Sequence, residues 1–330
     1  MNDTVLPRDA SDGVSIIIPF CNNAGTIAKT LSSLEKQVLD MPVEVLLVDA
    51  ESNDDSVKLA SEHAVGRRWP VKILKGRRGL AYNYNLGLTE ARYGIVVTMH
   101  ADCYVESSSA LKDIIRPFSK REIVAVTPKV RLPARVWDQM PFWDKVAGAR
   151  FIGKFTRSLS GKFDAIRHSV LTNIGGFDSQ HFFSAGEDVD MQVRLERVGV
   201  IVYSDVEVVH AHHYVKRADM LWSLLKKQVQ LGQGTGAVIH KQWRWFHWES
   251  FASCFFSHVP KLFLCLGVFI PVISSYALAL LFLFGIIYSW RVFCMRDIRI
   301  LIVPFVNIMM FYCFTSGLIT GLVLGRQRFQ

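Results

Sequence analysis

The chain has 330 residues, 50% of them hydrophobic and only 20% charged, with a mean hydropathy of +0.23. That composition excludes intrinsic disorder and fits an ordinary soluble domain poorly, while the length allows one large domain plus an appendage. A formal net charge of +9 points to an anionic partner such as nucleic acid, phosphate or lipid head groups.

The first strand is expected over residues 14–18, where Val14, Ile16, Ile17 and Ile18 form an apolar, largely β-branched run closed by Pro19. Ile27, Leu31, Leu34 and Val38 then fall on one face of a helix. A second strand over 43–48 ends at Asp49, and a helix over 54–63, a strand over 71–74, a helix over 81–91 and a strand over 94–99 follow. Strands alternating with helices predict βαβ units and a mainly parallel sheet. Continuous apolar strands such as EVLLV predict burial on both faces. Ligands of such sheets bind at the carboxyl ends of the strands, which singles out residues 19–22, 49–54 and 100–103. IPFCNNAG after the first strand is not the G-x-G-x-x-G of a dinucleotide site, and Gly161-Lys162-Phe163 is not a phosphate-cradling P-loop.

Three clusters carry chemistry. Asp49 with Ser52, Asp54 and Ser56 forms a turn able to hold ribose hydroxyls, although Asp and Ser also favour turns for their own sake. His100 and Asp102, at i and i+2 on the mouth of a buried strand, can face one divalent cation. Glu187, Asp188 and Asp190 open a helix directly after a glycine. The helix dipole accounts for acids there, but crowding also raises a carboxyl toward the range of a general base. His210, His212 and His213 end a further strand, and one imidazole is a candidate for completing the metal shell. Arg77, Arg78, Lys226 and Lys227 are candidate phosphate contacts.

The tail differs in kind. Beyond residue 250 it holds six basic residues and one acid, Asp297, a net +5. The uncharged runs 262–290 and 300–324 both exceed the roughly 20 residues that cross a bilayer. The first run reads either as one tilted span or as the second limb of a hairpin that begins near Phe251 and turns at Pro271; the positive-inside rule favours the hairpin. Trp243, Trp245, Phe246 and Trp248, interleaved with Lys241, Arg244 and His247, suit the bilayer interface. Gly317, Gly321 and Gly325 permit close helix contact, first of all within the chain, with a homo-oligomer through the membrane helices as the alternative. The six cysteines show neither CxxC nor zinc spacing, so reduced thiols facing the cytosol are expected, and the N-terminus is not expected to be a signal peptide.

VSIIIPFCNN, LLVDAESNDDS, Gly79 followed by Asn85 and Gly87, HADC, GGFD, GEDVD and VVHAHH, in this order and spacing, resemble the inverting family-2 glycosyltransferases of GT-A fold over about residues 14–236. The resemblance implies an α/β GT-A domain, Rossmann-like with a mixed, mainly parallel sheet, over 1–240. An amphipathic interfacial segment over 241–258 and a transmembrane region over 259–330, with two or three crossings or a re-entrant hairpin plus one span, complete the expected organisation. It further implies that Pro19, Asp49 and Gly79 line a nucleoside diphosphate sugar pocket and that Asp102, with His100 and His210, holds Mn²⁺ or Mg²⁺. Asp188 becomes the base that deprotonates the acceptor, with Glu187 and Asp190 shaping the acceptor end.

Two departures stand out. His100 replaces the first acid of the family's DxD, favouring Mn²⁺ over Mg²⁺. Gln242-Trp243-Arg244-Trp245 is one residue short of the processive enzymes' Q-x-x-R-W, which argues for single-sugar transfer. The expected protein is therefore a multi-pass membrane glycosyltransferase with its catalytic domain in the cytoplasm, a lipid-linked or glycan acceptor, contacts to membrane lipids and no nucleic-acid partner. A non-catalytic sugar-nucleotide-binding subunit of a glycan-assembly complex is the alternative.

Overall fold

A computed structural model describes residues 13–64, 68–134, 136–211, 220–245, 260 and 262–328. Four strands, β1 (Val14–Phe20), β2 (Val43–Asp49), β3 (Val71–Lys75) and β4 (Ile95–Thr98), alternate with helices α1 (Ile27–Glu35), α2 (Ser56–Ala64) and α3 (Leu80–Glu90), and all their pairings are parallel. The second half brings the antiparallel pairings. It contains β5 (Cys103–Val105), α4 (Ala110–Ile115), β6 (Ile123–Arg131), the short α5 (Val136–Gln139) and α6 (Phe142–Gly148), β7 (Phe155–Thr156), β8 (Asp164–Arg167), α7 (His168–Asn173), α8 (Glu187–Glu196) and β9 (Val200–His210). The sheet order is β3-β2-β1-β4-β8-β6-β9-β5, with β7 beside β6. This is the mixed α/β sheet that the alternating pattern predicts.

Alternation along the central strands feeds two apolar layers. Ile16 and Ile18 face Ile27, Leu31 and Leu34 of α1, while Ile17 and Val48 face Ala81 and Tyr84 of α3. Gly87 allows that second layer to close, because a Cβ there would stand 2.3 Å from the Ile17 side chain. Val38, expected on the core face of α1, is 56% exposed because the helix ends at Glu35; the neighbouring Gln37 is buried instead, tied to Ser33 and Ser107 carbonyls and to the Leu111 amide.

Strand direction places the chemistry. β9 runs parallel to β6, which is antiparallel to β8, itself antiparallel to β4. The end of β9 therefore lies on the same sheet edge as the end of β4, and His210 pairs with Cys103 of β5. β8 starts on that edge, with Asp164 opposite Thr98.

α9 (Met220–Gln242) then leads to the tail helices α10 (Ser274–Tyr288) and α11 (Val303–Leu324). Gly232 and Gly236 of α9 interlock with Gly317 and Gly321 of α11, each close enough that an added Cβ would stand 2.1–2.2 Å from a carbonyl oxygen of the other helix. The glycine face thus packs inside the chain, as expected. The run 262–290 is not one continuous span: it breaks around Pro271, and α10 has 15 residues, about 22 Å at 1.5 Å per residue, too short for a core of about 30 Å. Among the described residues a single stretch, Ile298–Leu324, is long and apolar enough to cross a membrane. The multi-pass expectation therefore lacks its second long helix there. Residues 251–259 and 261 of the hairpin's first limb, Phe246, His247, Trp248, His212 and His213 lie outside the described residues, while residues 262–267 of that limb are helical.

Candidate active site

The carboxyl edge of the sheet holds two adjoining groups of side chains. The first comes from the β4–β5 turn and the end of β9. Ligand atoms of His100, Asp102, Cys103 and His210 all lie within 4.8 Å of one another. His210 Nε2 and Asp102 Oδ2 are 3.0 Å apart, the separation of two neighbouring ligands set about 2.1 Å from one octahedral ion. Two imidazoles and a carboxylate with a thiol beside them suit a borderline transition ion such as Mn²⁺ better than Mg²⁺, which prefers oxygen alone. Cys103 is fully buried, and burial, together with the charge of Asp102, pushes its thiol well above the usual range. The donor set therefore fits a divalent metal, and the three metal residues expected from sequence are brought together.

The second group is acidic. Gly186 adopts a positive φ of 92° and caps α8, so Glu187 and Asp188 sit in the first turn, where the helix dipole favours negative charge. Glu187 is 5% exposed, and its Oε2 has no hydrogen-bond partner among the described residues. Burial and the adjacent Asp188 push Glu187 up to about 8. Asp188, half-buried, is also raised by burial, against the opposing pull of Lys162 and Lys227. Asp164 is fully buried; its Oδ2 accepts from the Ser160 and Gly161 amides at 2.8 and 2.6 Å, and its Oδ1 has no partner among the described residues. Burial moves it to about 7, against those amides and Lys162, with Asp188 adding to the rise.

One tight loop joins the two groups. Gly161 and Phe163 take positive φ values of 70° and 95°. A Cβ on Gly161 would stand 2.5 Å from the Tyr84 hydroxyl and 3.0 Å from His100 Nε2, so the backbone there touches both sides. Tyr84, buried, donates to the Gly161 carbonyl at 3.0 Å and feels the charges of Glu187, Asp164 and Asp188. The Lys162 ammonium acts on Cys103 as well as on Glu187 and Asp188. Asp164, Lys162 and Tyr84 were not foreseen. SGKFD matches no motif, and the only signal was a glycine-lysine pair at the mouth of a strand.

Beside this lies a cleft of about 640 Å³, lined by Glu51, Arg77, Arg78, Gly79, Tyr82 and Phe183 among others. Gly79 has a φ of 121°, and its Cα side faces the Phe183 ring, where a Cβ would stand 3.2 Å away. Asn83, buried, holds the Arg77–Gly79 turn by donating to both their carbonyls at 2.7 Å. Asp49 stands at the end of β2, where its Oδ1 accepts from the Ser52 amide at 3.0 Å; its charge reaches Cys21, as does that of Arg78. Pro19 is buried within β1 opposite Val48, and neither it nor Asp49 is among the residues that line the cleft. Asp190 does not join the group. Fully buried, it accepts from Arg194 at 2.8 Å, Gln242 at 2.7 Å and Lys241 at 3.0 Å, bracing α8 to the end of α9. Of the candidate phosphate contacts, Arg77 and Arg78 line the cleft, Lys227 influences the acids of α8, and Lys226 stacks on Trp222.

The remaining motif residues are structural. Asn85 exchanges two hydrogen bonds with Phe177, at 2.6 and 2.7 Å, and Phe177 stacks on Tyr84, so the GGFD turn clamps α3. Asp178 of that turn binds His181 and Lys241, and despite burial these partners hold its carboxyl down to about 2.

A mixed sheet with metal-ligand and acidic groups on its carboxyl edge defines the GT-A class of α/β proteins. Residues 15–175 match Glycosyl transferase family 2, and the chain thus carries a domain of that family. It is 25% identical over 181 residues to the poly-beta-1,6-N-acetyl-D-glucosamine synthase of Staphylococcus epidermidis, a match covering 51% of this chain and 42% of that protein, so it spans less than half the relative's length. It is 24% identical over 220 residues to the O-antigen chain rhamnosyltransferase RfbN of Salmonella typhimurium, covering 62% of this chain and 68% of that one. The fold is similar to that of the mannosyltransferase PcManGT of Pyrobaculum calidifontis, solved with GDP-Man and Mn²⁺, with a TM-score of 0.60 at 18% identity over 96% of this chain and 90% of that one.

Proposed function

We propose that this protein is an inverting glycosyltransferase that moves one sugar from a nucleoside diphosphate donor to a lipid-linked or glycan acceptor in the assembly of a surface polysaccharide or glycolipid. The observation that carries the reading is the Gly161–Lys162 loop, which sets the His100, Asp102 and His210 group against Glu187 and Asp188. The neighbouring cleft, with Arg77 and Arg78 on its wall, takes the nucleotide, and Asp49, two residues before the lining Glu51, is assigned to its ribose. His100, Asp102 and His210 would hold Mn²⁺, which when bound supplies positive charge to a diphosphate.

Asp188 acts as the base. A carboxyl raised by burial takes a proton more readily than an exposed one, and Lys162 and Lys227 oppose that rise, a balance that suits proton abstraction. It accepts the acceptor hydroxyl's proton as that oxygen bonds to the anomeric carbon. The bond from this carbon to the diphosphate oxygen breaks on the opposite face, and its electron pair stays on the leaving diphosphate. One displacement inverts the centre. Lys162 and Lys227 are placed to offset the gathered negative charge.

The polysaccharide synthase and O-antigen transferase among the relatives support a surface-glycan product. The exposed apolar tail supports a membrane-borne acceptor, and five unpaired cysteines among the described residues support a cytoplasmic catalytic face.

The test is nucleotide release and sugar transfer from a panel of nucleotide sugars. Wild type is expected to turn over one of them, and Asp188→Asn to lose about 10²–10⁴-fold in turnover while still binding the donor. Full turnover by Asp188→Asn would remove it as the base. Binding without transfer by wild type would favour the non-catalytic subunit.

A further inference from the structure

The tail exposes a dense apolar surface: Phe263, Phe269, Val272, Tyr276, Leu283 and Ile287 are each more than half exposed. Contiguous apolar exposure of this kind marks a contact surface. Arg291, Arg296 and Arg299 follow it in the chain, and the only acid there, Asp297, is paired with Arg299 at 2.6 Å. An apolar surface bordered by three arginines against one acid is the pattern that meets an anionic bilayer.

How the tail meets that bilayer follows from what flanks α11. α9 and α11 run parallel and touch along most of their lengths. Leu225 packs on Val306 and Met310 at one end, Gly232 and Gly236 meet the Phe314 and Leu318 carbonyls in the middle, and His240 meets Gly325 at the other. The opposite side of α9 packs on the catalytic loop, where a Cβ on Gly234 would stand 2.4 Å from the Ala185 carbonyl, two residues before Glu187. At Gly234, therefore, only the thickness of α9 separates α11 from the loop that leads into Glu187 and Asp188. At 22 residues, about 33 Å, α11 matches a hydrocarbon core of about 30 Å. Standing upright in it, however, the helix would carry α9 to membrane depth with the exposed Lys226, the Lys241 that pairs with Asp178 and Asp190, and the loop of Ala185 packed on Gly234, and ionised groups are strongly disfavoured there. Lying in the plane removes the conflict. The side of α11 away from α9 exposes Phe305, Met309, Ser316, Ile319 and Val323 at helical spacing, while Tyr312 between them packs on Cys265 and Phe269 of the preceding segment.

We propose that the tail is a monotopic anchor: α10, the 268–273 turn and the outer stripe of α11 sink into one leaflet, both ends of α11 stay on the catalytic side, and no described helix crosses. This rests on the reading that the tail meets a membrane.

The test uses the full chain carrying Arg296→Cys and Arg328→Cys, with Cys21, Cys254, Cys294 and Cys313 changed to serine, reconstituted from detergent into phosphatidylcholine vesicles containing phosphatidylglycerol. Flotation on a density gradient reports membrane association; intact mass after an impermeant maleimide counts labels per molecule whichever way each molecule faces. Flotation with two labels or none per molecule is expected. Flotation with one label per molecule would put the ends of α11 on opposite sides and overturn the monotopic anchor while leaving membrane association standing. Failure of the wild-type chain to float would overturn membrane association itself. Should the variant misfold, trypsin acting on sealed vesicles of the unmodified chain is expected to release the 300–326 fragment, and its release only after lysis would overturn the proposal.

Discussion

Asp164 and Asp188 show how position alone divides the work of two carboxyls. Asp188 is partly buried beside two lysines, whereas Asp164 is sealed beneath the Gly161 turn with one oxygen unpaired among the described residues. A buried acid raised from its ordinary 3.8 to about 7 binds a proton in the folded chain that the unfolded chain has already released. Its contribution to stability is complete below the ordinary value and is lost as pH rises through the folded one. Thermal unfolding followed across pH 4 to 8 should show a falling melting temperature, and Asp164→Asn should flatten that fall. An unchanged slope would mean Asp164 is ionised in the fold. At this scale the sequence exposes His100, Asp102, Asp188 and His210 because each sits beside an apolar run or a glycine that marks an element's end. It hides Asp164 and Tyr84, whose importance comes from a loop that folds back between them. It also misplaces Asp190, since acids spaced like Asp188 and Asp190 look alike until the helix turns one into the core.

At the scale of elements, α9 is the least legible part of the fold. Its interior carries Gly232, Gly234 and Gly236, each costing about 1 kcal/mol of helix propensity relative to alanine, so local preference argues against a helix there. Tertiary packing overrides it, because only glycine lets α11 and the catalytic loop approach from opposite sides. Gly232→Val, which drives a side chain into the Phe314 carbonyl, should cost about 1–3 kcal/mol or more in thermal or denaturant unfolding. The wild-type midpoint would contradict the close contact. The residues after α11 extend the coupling: Gln327 Oε1 accepts from the Phe183 and Ser184 amides at 2.6 and 3.0 Å, holding the loop whose Phe183 lines the cleft. Gln327→Ala should raise donor KM several-fold, about 1 kcal/mol, with little change in kcat. An unaltered KM would uncouple tail from cleft.

For the whole molecule, alternation of strands and helices foretells the parallel half of the sheet, while the order β8-β6-β9-β5 depends on long-range pairings that no local pattern encodes. The boundary near residue 240 is where charge and hydropathy change, yet α9 ahead of it packs on both the catalytic loop and the tail, so composition marks a chemical border rather than a mechanical one. On the proposed reading, the metal-ligand group and Asp188 serve one nucleotide held in the adjoining cleft, with separate duties. Calorimetric titration of UDP and GDP, with Mn²⁺ and with excess chelator, tests it most directly. One nucleotide should bind wild type and Asp188→Asn alike in Mn²⁺, and Asp102→Asn or chelator should weaken that binding by about 10–100-fold. Affinities in chelator and in Asp102→Asn that match wild type in Mn²⁺ would contradict it.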